Sequence, residues 1–139
     1  MTNALYTATA VSTGEGRNGH VQTPDQHIDA DVRMPEALGG PGGATNPEQL
    51  FAAGFAACFH SALKLVASRE KVDVTDTEVV ADVHLLPTDS GGFQLAVGLE
   101  VTVPAADREQ AQKLVEAAHE VCPYSHATRG NIEVTLTVA

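Results

Sequence analysis

The sequence has few basic residues and only two cysteines. Eight lysines and arginines stand against eighteen acidic residues, which gives a formal net charge of −10. Nucleic acids and anionic membranes bind basic patches, so this charge balance argues against either as a partner. The two cysteines, Cys58 and Cys122, are too far apart in the chain to form a CxxC motif or a zinc-ribbon spacing.

The sequence also lacks long apolar runs and a recognisable targeting segment. The longest apolar run covers the ten residues 50–59, whereas a helix needs about 20 residues to cross a bilayer. The first basic residue is Arg17, so the start of the chain lacks the charged n-region of a signal peptide. We therefore expect a cytoplasmic protein with no membrane partner. Thiols are kept reduced in the cytoplasm, so a structural disulfide is not expected.

Length and periodicity predict a single α+β domain, residues 1–139. Of the 139 residues, 43% are hydrophobic, which is enough for one core. Alternation of apolar and polar residues predicts strands, and helical spacing predicts two helices. The strands are expected at residues 6–10, 28–33, 79–86, 93–103 and 132–138, and the helices at 47–68 and 107–122. Asp107 is expected to cap the second helix and Pro123 to end it, and the stretches 35–47 and 124–131 are predicted to be loop. Glycine-rich turns between strands favour hairpins and antiparallel sheet, with one hairpin turn predicted at Asn18-Gly19.

The first predicted helix is apolar on every side in its first half. Asn46 or Thr45 is expected to cap it, Pro47 suits its first position, and Gln49 stands where a capping-box partner would be. We expect this half to be buried on every side. That is more apolar surface than a small monomer can easily cover, so the sequence predicts a homodimer.

Cys58 stands within this apolar helix, and an acid, Glu48, stands at the start of the helix. Each has an ordinary explanation alone, because cysteines are often buried and an acid suits a helix N-terminus. A reactive buried thiol needs a nearby cation, since burial raises its pKa. Glu48 cannot supply a cation, but a carboxylate can hold an arginine by a bidentate contact. Arg17 and Arg129, both in predicted loops, are the candidates.

The sequence offers no metal site or serine triad. Cys58 and His60 are two residues apart on a helix and point to different sides. Cys122 and His126 flank Pro123, with no further ligand at a zinc-like spacing. No GxSxG motif is present. A pair of core-facing cysteines in a reducing compartment favours a catalytic or redox-sensing role.

Three stretches carry a family resemblance: GEGRNG, TNPEQLFAAGFAACF and VCPYSHATRGN. They closely resemble the organic hydroperoxide resistance (Ohr) branch of the Ohr/OsmC family, and the resemblance covers essentially the whole chain. Phe55 stands where tyrosine is common, and His126 stands where asparagine is common. The resemblance implies an α+β fold of the OsmC/Ohr type, with antiparallel sheets wrapped around two central helices in an intertwined homodimer.

The resemblance also implies a thiol-dependent peroxidase that reduces organic hydroperoxides, including those of fatty acids. By motif, Cys58 is similar to the peroxidatic cysteine of the family and Cys122 to the resolving cysteine. Arg17 and Glu48 are similar to the pair that activates the peroxidatic thiol. No bound cofactor is implied. The implied reductant is a dithiol, the dihydrolipoyl group of a lipoylated partner protein.

The specificity for alkyl peroxides requires an apolar wall near the reactive thiol. Phe51, Phe55 and Phe59 are the candidate substrate-binding residues, because they precede or follow Cys58 on the same apolar helix. Two alternatives remain open from the residues alone. One is a non-enzymatic module that binds an apolar ligand, with inert thiols. The other is a thioesterase-like hydrolase in which Glu48 is the general base.

Overall fold

The structure, a computed structural model, describes residues 3–139. Met1 and Thr2, the first residues of the start that lacks a signal-peptide n-region, lie outside the described residues. The chain divides into two units, Met1–Leu50 and Phe51–Ala139, which are described in turn. Strands and helices occur together, so the predicted α+β class is confirmed. The single domain 1–139 stays a prediction.

The first unit contains a three-stranded antiparallel sheet. Strands β1 (Val11–Glu15), β2 (Asn18–Gln22) and β3 (Asp29–Asp31) are paired in that order. The strand predicted at residues 28–33 is confirmed in part as β3. The strand predicted at residues 6–10 is wrong, because these residues are exposed and have no regular structure. Alternation alone does not make a strand when no neighbouring strand pairs with it.

The hairpin between β1 and β2 turns two positions earlier than predicted. Glu15 pairs with Asn18, so the turn is Gly16-Arg17 rather than Asn18-Gly19. Gly16 has a φ of +66°, at the position where a type II′ turn places glycine. Gly19 is needed for a different reason: a Cβ there would collide with the backbone carbonyl of Thr13 on β1. This register places Arg17 at the tip of the hairpin.

Helix α1 (Pro47–Arg69) begins where the sequence predicted. A short 3-10 helix, Glu36–Leu38, precedes it within a stretch that was predicted to be loop throughout. The side-chain Oδ1 of Asn46 accepts a hydrogen bond from the backbone N–H of Gln49 at 2.8 Å, which confirms Asn46 as the cap. The side chain of Gln49 accepts a hydrogen bond from the Thr45 hydroxyl at 3.0 Å, so it does not complete a capping box.

Helix α1 is buried on one face only in the single chain. The prediction that its first half is buried on every side is therefore wrong for one copy, since Ala53 and Ala57 are exposed. Six of its residues are buried: Phe55, Phe59, Ala62, Leu63, Val66 and Ala67. By length and composition alone, α1 could cross a membrane, with a mean hydropathy of 1.6 over its most apolar window. Its buried residues belong to the main hydrophobic core, which is the usual place for such a helix in a folded domain.

The second unit contains a mixed sheet rather than the antiparallel sheet that was predicted. Strands β4 (Glu78–Pro87) and β5 (Phe93–Thr102) form the predicted antiparallel hairpin. Strand β6 (Val134–Val138) pairs with β5 in parallel. A parallel pair needs a long crossover connection, and two helices between β5 and β6 provide it.

Those two helices are α2 (Arg108–Val121) and α3 (Pro123–Thr128). The side chain of Asp107 accepts a hydrogen bond from the backbone N–H of Gln110 at 2.8 Å, so the predicted cap is confirmed. Pro123 ends α2 as predicted, but it also occupies the first position of α3, where proline is well tolerated. The prediction of loop after Pro123 is therefore wrong for the residues of α3.

The main hydrophobic core of the second unit lies between α1, α2 and the mixed sheet. Leu63 of α1, Leu99 of β5 and Val115 of α2 are almost fully buried in this cluster. Cys122, directly after α2, belongs to the same cluster and has no exposed surface. The core therefore reaches the junction of α2 and α3, where the second cysteine lies.

Candidate active site

An arginine and a glutamate meet within the first unit. Arg17, at the tip of the β1–β2 hairpin, places its Nη1 2.7 Å from Oε1 of Glu48 and its Nη2 3.0 Å from Oε2. Two parallel N–H···O bonds to one carboxylate form the bidentate arrangement, the strongest and most directional arginine–carboxylate contact. The contact that the sequence suggested for Glu48 is present, and Arg17 rather than Arg129 makes it.

The environment of Glu48, in the first turn of α1, favours the ionised carboxylate. The Glu48 side chain is 18% exposed and that of Arg17 is 36% exposed. The hydrogen bond from Arg17 holds the pKa of the Glu48 carboxyl below its ordinary value, although partial burial opposes this. Glu48 is therefore ionised at neutral pH. An ionised carboxylate fixes the guanidinium in one orientation and leaves its other edge available to an anion.

The two cysteines meet within the second unit. Cys58 lies in the middle of α1 and Cys122 at the junction of α2 and α3, 64 positions later. Both are free thiols, and the Sγ of Cys122 donates a hydrogen bond to the Sγ of Cys58 at 3.7 Å. A disulfide has a sulfur–sulfur distance of about 2.05 Å, so a small approach would join them. The structure thus brings together the two cysteines that the sequence singled out.

The environment of Cys58 opposes ionisation. Burial raises the pKa of the Cys58 thiol, and the backbone N–H of Tyr124 partly offsets this. The adjacent Cys122 raises the pKa further, mainly through the hydrogen bond between the two thiols and also because two thiolates at this distance would repel each other. Within residues 51–139, no cation contributes to the pKa of Cys58. Such a thiol is poorly reactive unless a positive charge reaches it.

Three aromatic residues that are close to Cys58 or Cys122 in the sequence form a cluster. The ring of Phe51 stacks against that of Tyr124 with centroids 6.0 Å apart, and both rings contact Phe55 edge-on at 5.8 and 5.6 Å. Phe55 has no exposed surface, whereas Tyr124 is 37% exposed. The sequence reasoning did not single out Tyr124. Its position directly after Cys122-Pro123, as one of only two tyrosines, was the available signal.

Small residues on α1 make room for this cluster. A Cβ at Gly54 would lie 3.0 Å from the hydroxyl oxygen of Tyr124 and 3.3 Å from its ring. The glycine therefore lets the tyrosine ring lie against the helix. Phe59, the third candidate wall residue, is fully buried in the main core and takes no part in these ring contacts.

The remaining candidates lie on or after α3. The guanidinium of Arg129 donates a hydrogen bond to the backbone carbonyl of His119 at 2.6 Å. The side chain of His126 is exposed, and its backbone N–H donates to the carbonyl of Cys122 at 3.0 Å. Arg129 is therefore bound to the end of α2. His126 contributes its backbone to the turn that contains Cys122.

The part of the chain that the structure describes offers no metal centre beside these candidates. Among residues 3–139, no three histidine, cysteine or acidic side chains are grouped in a way that could hold a metal. A concave surface of about 650 Å³ lies between the end of α1 and the start of α2, lined mostly by polar side chains such as Arg69, Asp107 and Lys113. It contains none of the candidate site residues, so the candidate chemistry lies with the two residue pairs instead.

Comparisons with known proteins match these features. Residues 40–137 match the family described as OsmC-like protein. The organic hydroperoxide resistance protein of Xanthomonas axonopodis pv. citri is 49% identical over 136 residues, which cover 97% of this chain and 95% of that protein. The similarity therefore extends over almost the whole chain.

Solved structures give the same answer. The crystal structure of an organic hydroperoxide resistance protein from Legionella pneumophila is 50% identical and superposes with a TM-score of 0.93, covering 99% of each chain. The organic hydroperoxide resistance protein OhrB of Bacillus subtilis is 48% identical with a TM-score of 0.89, covering 98% of this chain and 100% of the other. The fold described above is therefore the fold of these proteins.

Proposed function

The chain belongs to the Ohr branch of the OsmC-like family, and on that premise we propose that it is a thiol-dependent peroxidase that reduces organic hydroperoxides to alcohols. The observation that carries the proposal is the contact between Cys58 and Cys122. Two thiols 64 positions apart, with their sulfurs 3.7 Å from each other in a fold with no structural disulfide, are suited to reversible oxidation.

In the first step, the Cys58 thiolate attacks the distal oxygen of the hydroperoxide. The oxygen–oxygen bond breaks, a sulfur–oxygen bond forms, and the alkoxide leaves and takes up a proton to become the alcohol. Cys58 is oxidised to a sulfenic acid, and the peroxide is reduced by two electrons. Cys58 suits this step better than Cys122, because it is half-buried whereas Cys122 has no exposed surface.

In the second step, the Cys122 sulfur attacks the Cys58 sulfenic acid and releases water, which forms the disulfide. A dithiol then reduces the disulfide by thiol–disulfide exchange, gives up two electrons and becomes a disulfide itself. We propose a dihydrolipoyl group on a lipoylated protein as this reductant, because the family resemblance implies it. The cycle needs no bound cofactor.

Arg17, held by Glu48, is proposed to activate Cys58. Burial raises the pKa of Cys58, so a thiolate at neutral pH requires a cation. A guanidinium about 4 Å from the sulfur would contribute about 4 kcal/mol at an effective dielectric constant near 20. Since one pKa unit corresponds to about 1.4 kcal/mol, this contact would lower the thiol pKa by roughly three units. The bidentate contact with Glu48 supports this role by fixing the orientation of the guanidinium.

The apolar wall for the alkyl part of the substrate is proposed to include Phe51, Phe55 and Phe59. Phe51 is half-buried and stacks on Tyr124, so these two rings offer apolar surface at the edge of the cluster. Phe55 and Phe59 have no exposed surface in the single chain and would act by supporting the wall from beneath. A wall of this kind favours alkyl hydroperoxides over hydrogen peroxide, because burial of the alkyl chain adds binding free energy.

We also propose that the protein is a cytoplasmic homodimer. The exposed small residues Ala53 and Ala57 on α1 support close packing of a second copy. Light scattering over a wide concentration range checks the assembly: the mass of two chains is expected, and the mass of one chain throughout would contradict it.

The alternative functions are less well supported. A hydrolase with Glu48 as general base needs a carboxylate with a raised pKa, whereas the Arg17 contact holds the pKa of Glu48 low. A binding module with inert thiols gives no reason for two cysteines to meet. The alternatives nevertheless make a distinct prediction, since neither consumes thiols.

The decisive experiment is a thiol titration before and after one equivalent of cumene hydroperoxide, with hydrogen peroxide in a parallel sample. We expect two thiols to disappear per chain, and to disappear faster with cumene hydroperoxide. Treatment with a dithiol such as dihydrolipoamide should restore both. If two thiols per chain survive excess cumene hydroperoxide, the peroxidase proposal is wrong.

A further inference from the structure

The second cysteine lies at a bend in the backbone. Cys122 lies between α2 and α3 as the C-cap of the first and the N-cap of the second, in an extended backbone conformation (φ −69°, ψ 123°). Its N–H donates to the carbonyl of Ala118 in α2 at 2.9 Å, and its carbonyl accepts from the N–H of His126 in α3 at 3.0 Å. The position of its sulfur therefore depends on the angle at which the two helices meet.

One hydrogen bond between two side chains connects the two helices across this bend. The Nδ1 of His119, three residues before Cys122, lies 2.9 Å from the Oγ of Ser125, three residues after it. The Arg129 guanidinium donates a hydrogen bond to the backbone carbonyl of His119. The backbone N–H of Arg129 donates to the carbonyl of Ser125 at 2.9 Å. The His119–Ser125 bond is thus the side-chain link in a small network around Cys122.

The burial of the pair makes this bond costly to lose. Ser125 has no exposed surface, and an unpaired buried hydroxyl is destabilising. Burial lowers the pKa of His119; the charge of Arg129 lowers it further, and Glu120 opposes both. The imidazole is therefore neutral at neutral pH, and a neutral ring can either accept from the serine hydroxyl or donate to it.

We propose that the His119–Ser125 hydrogen bond positions Cys122 for its attack on oxidised Cys58. This inference rests on the proposed function and concerns its second step alone. The two sulfurs must approach from 3.7 Å to about 2.05 Å while the sulfenic acid loses its oxygen as water. Such a step is sensitive to small displacements, because a well-oriented pair reacts far faster than a loosely held pair.

If the His119–Ser125 bond positions Cys122, its loss should slow the second step of the reaction and leave the first step unchanged. In Ser125→Ala, we expect the sulfenic acid to form on Cys58 at the wild-type rate, since that step does not use Cys122. Disulfide closure is expected to slow about two- to tenfold, the range that corresponds to an ordinary hydrogen bond. The sulfenic acid should therefore accumulate for longer than in the wild-type protein.

Two substitutions of His119 test whether the bond itself is responsible. His119→Asn places an amide near the position of Nδ1 and can keep a hydrogen bond to Ser125, so it should close the disulfide at close to the wild-type rate. His119→Leu keeps volume but leaves the serine hydroxyl without this partner, so it should behave like Ser125→Ala. Rescue by asparagine would not be expected if the ring only filled space.

A matched control is available elsewhere in the same unit. His60 is also half-buried, and its Nε2 lies 2.9 Å from the hydroxyl of Thr77. Thr77→Ala removes a hydroxyl that bonds a histidine in the same way but is not part of the α2–α3 bend. It should lose comparable thermal stability and leave the rates of both steps unchanged.

The experiment mixes each full-length protein with one equivalent of cumene hydroperoxide and stops the reaction at intervals. Mass spectrometry then counts the dimedone adduct of the Cys58 sulfenic acid and the Cys58–Cys122 disulfide. Slower closure in Ser125→Ala and His119→Leu, with the first step unchanged and His119→Asn restored, supports the inference. Unchanged closure, or equal slowing of both steps, overturns it. If the wild-type protein forms neither product, the peroxidase proposal itself fails and this inference fails with it.

Discussion

The two units of the chain are stabilised in different ways. In the described part of the first unit, only Val32 and Asn46 are buried, and Val32 is not part of the main hydrophobic core. The second unit contains that entire core, with Leu63, Val101 and Val115 among its least exposed members. Burial of apolar surface therefore dominates in the second unit and contributes little in the first.

The first unit instead contains several pairs of opposite charges. Besides the pair of Arg17 and Glu48, the imidazole of His20 lies between two carboxylates on β3. Its Nδ1 is 2.8 Å from Asp31 and its Nε2 is 2.6 Å from Asp29. Both ring nitrogens face acceptors, so the doubly protonated ring fits best. The hydrogen bonds that His20 donates to Asp31 and Asp29 accordingly raise the pKa of His20.

This difference suggests a division of roles. An apolar environment shields a thiol and a sulfenic acid from side reactions but disfavours a thiolate. A polar unit with paired charges can supply a fixed cation without burying it. The following predictions test that division, beginning with the largest expected effect.

The largest effect should come from the cysteines of the apolar unit. Cys58→Ser should abolish consumption of cumene hydroperoxide, because a serine hydroxyl without an adjacent base is not an effective nucleophile at neutral pH. Cys122→Ser should consume about one equivalent and then stop with a sulfenic acid on Cys58. Peroxide assays and mass spectrometry check both variants. Continued turnover by Cys58→Ser, with loss of the first step in Cys122→Ser, would reverse the assigned roles.

The next effect tests whether the polar unit supplies the charge. Arg17→Ala should raise the pKa of Cys58 and slow peroxide attack by up to about a thousandfold, which corresponds to roughly three pKa units. Arg17→Lys should change the pKa of Cys58 only slightly but slow peroxide attack more clearly, because lysine keeps the charge but loses the bidentate geometry. Glu48→Gln should slow peroxide attack more than it changes the pKa of Cys58, since the guanidinium is then less well oriented.

The pH dependence of Cys58 alkylation, measured beside the peroxide reaction rate, distinguishes these variants. An Arg17→Ala protein with unchanged thiol pKa and unchanged rate would show that Arg17 only forms the hairpin turn.

A smaller effect compares the same truncation in the two units. Val115→Ala removes two methyl groups from the main core and should lower the free energy of unfolding by about 2–3 kcal/mol, through lost burial and a cavity. Val32→Ala should cost about 1 kcal/mol, because Val32 lies outside that core and its surroundings can close more easily. Denaturant unfolding of both variants measures the difference. Equal losses would mean that the first unit depends on burial as much as the second.

The smallest effect is the pH dependence of the first sheet. The pKa of His20 is raised in the folded state, so its stabilising contribution is fully present below the unfolded pKa of about 6.5 and is lost as pH rises through the folded pKa. The pKa of Asp31 is lowered, mainly by its hydrogen bond with His20, so its contribution is lost as pH falls through its folded pKa.

We expect His20→Gln to remove the alkaline part of this dependence. Thermal midpoints between pH 5 and pH 9 should decline more for the wild-type protein than for the variant, and an NMR titration of the ring should show the raised pKa directly. Parallel midpoint curves for the two proteins would mean that the His20 contacts do not stabilise the sheet.

Local patterns were sufficient for several elements of the fold. Alternation predicted the β4–β5 hairpin, and side chains at helix starts predicted the caps Asn46 and Asp107. These features depend on neighbours in the chain. The direction of β6 and the lack of a strand at residues 6–10 depend on partners far away in sequence, which alternation does not identify.

The candidate site shows the same limit. Residue types and motifs singled out Arg17, Glu48 and both cysteines, and the structure pairs them two by two. The contribution of Tyr124 to the environment of Cys58 was missed, because it depends on a helix that begins directly after a proline. Proline was taken as the end of regular structure, whereas here it starts α3.

The parallel pairing of β6 with β5 has a consequence for folding kinetics. Strands β4 and β5 are joined by a short turn and can pair early. Strand β5 pairs with β6 only after residues far apart in the sequence, such as Val97 and Val134, come together. Cys122 lies in the connection between those strands. Its encounter with Cys58 therefore belongs to the late, long-range part of folding, and nascent chains carry two separated thiols until then. We expect peroxide to cross-link Cys58 and Cys122 quickly only in chains whose last strand has docked, so the rate of cross-linking during refolding would report when folding is complete.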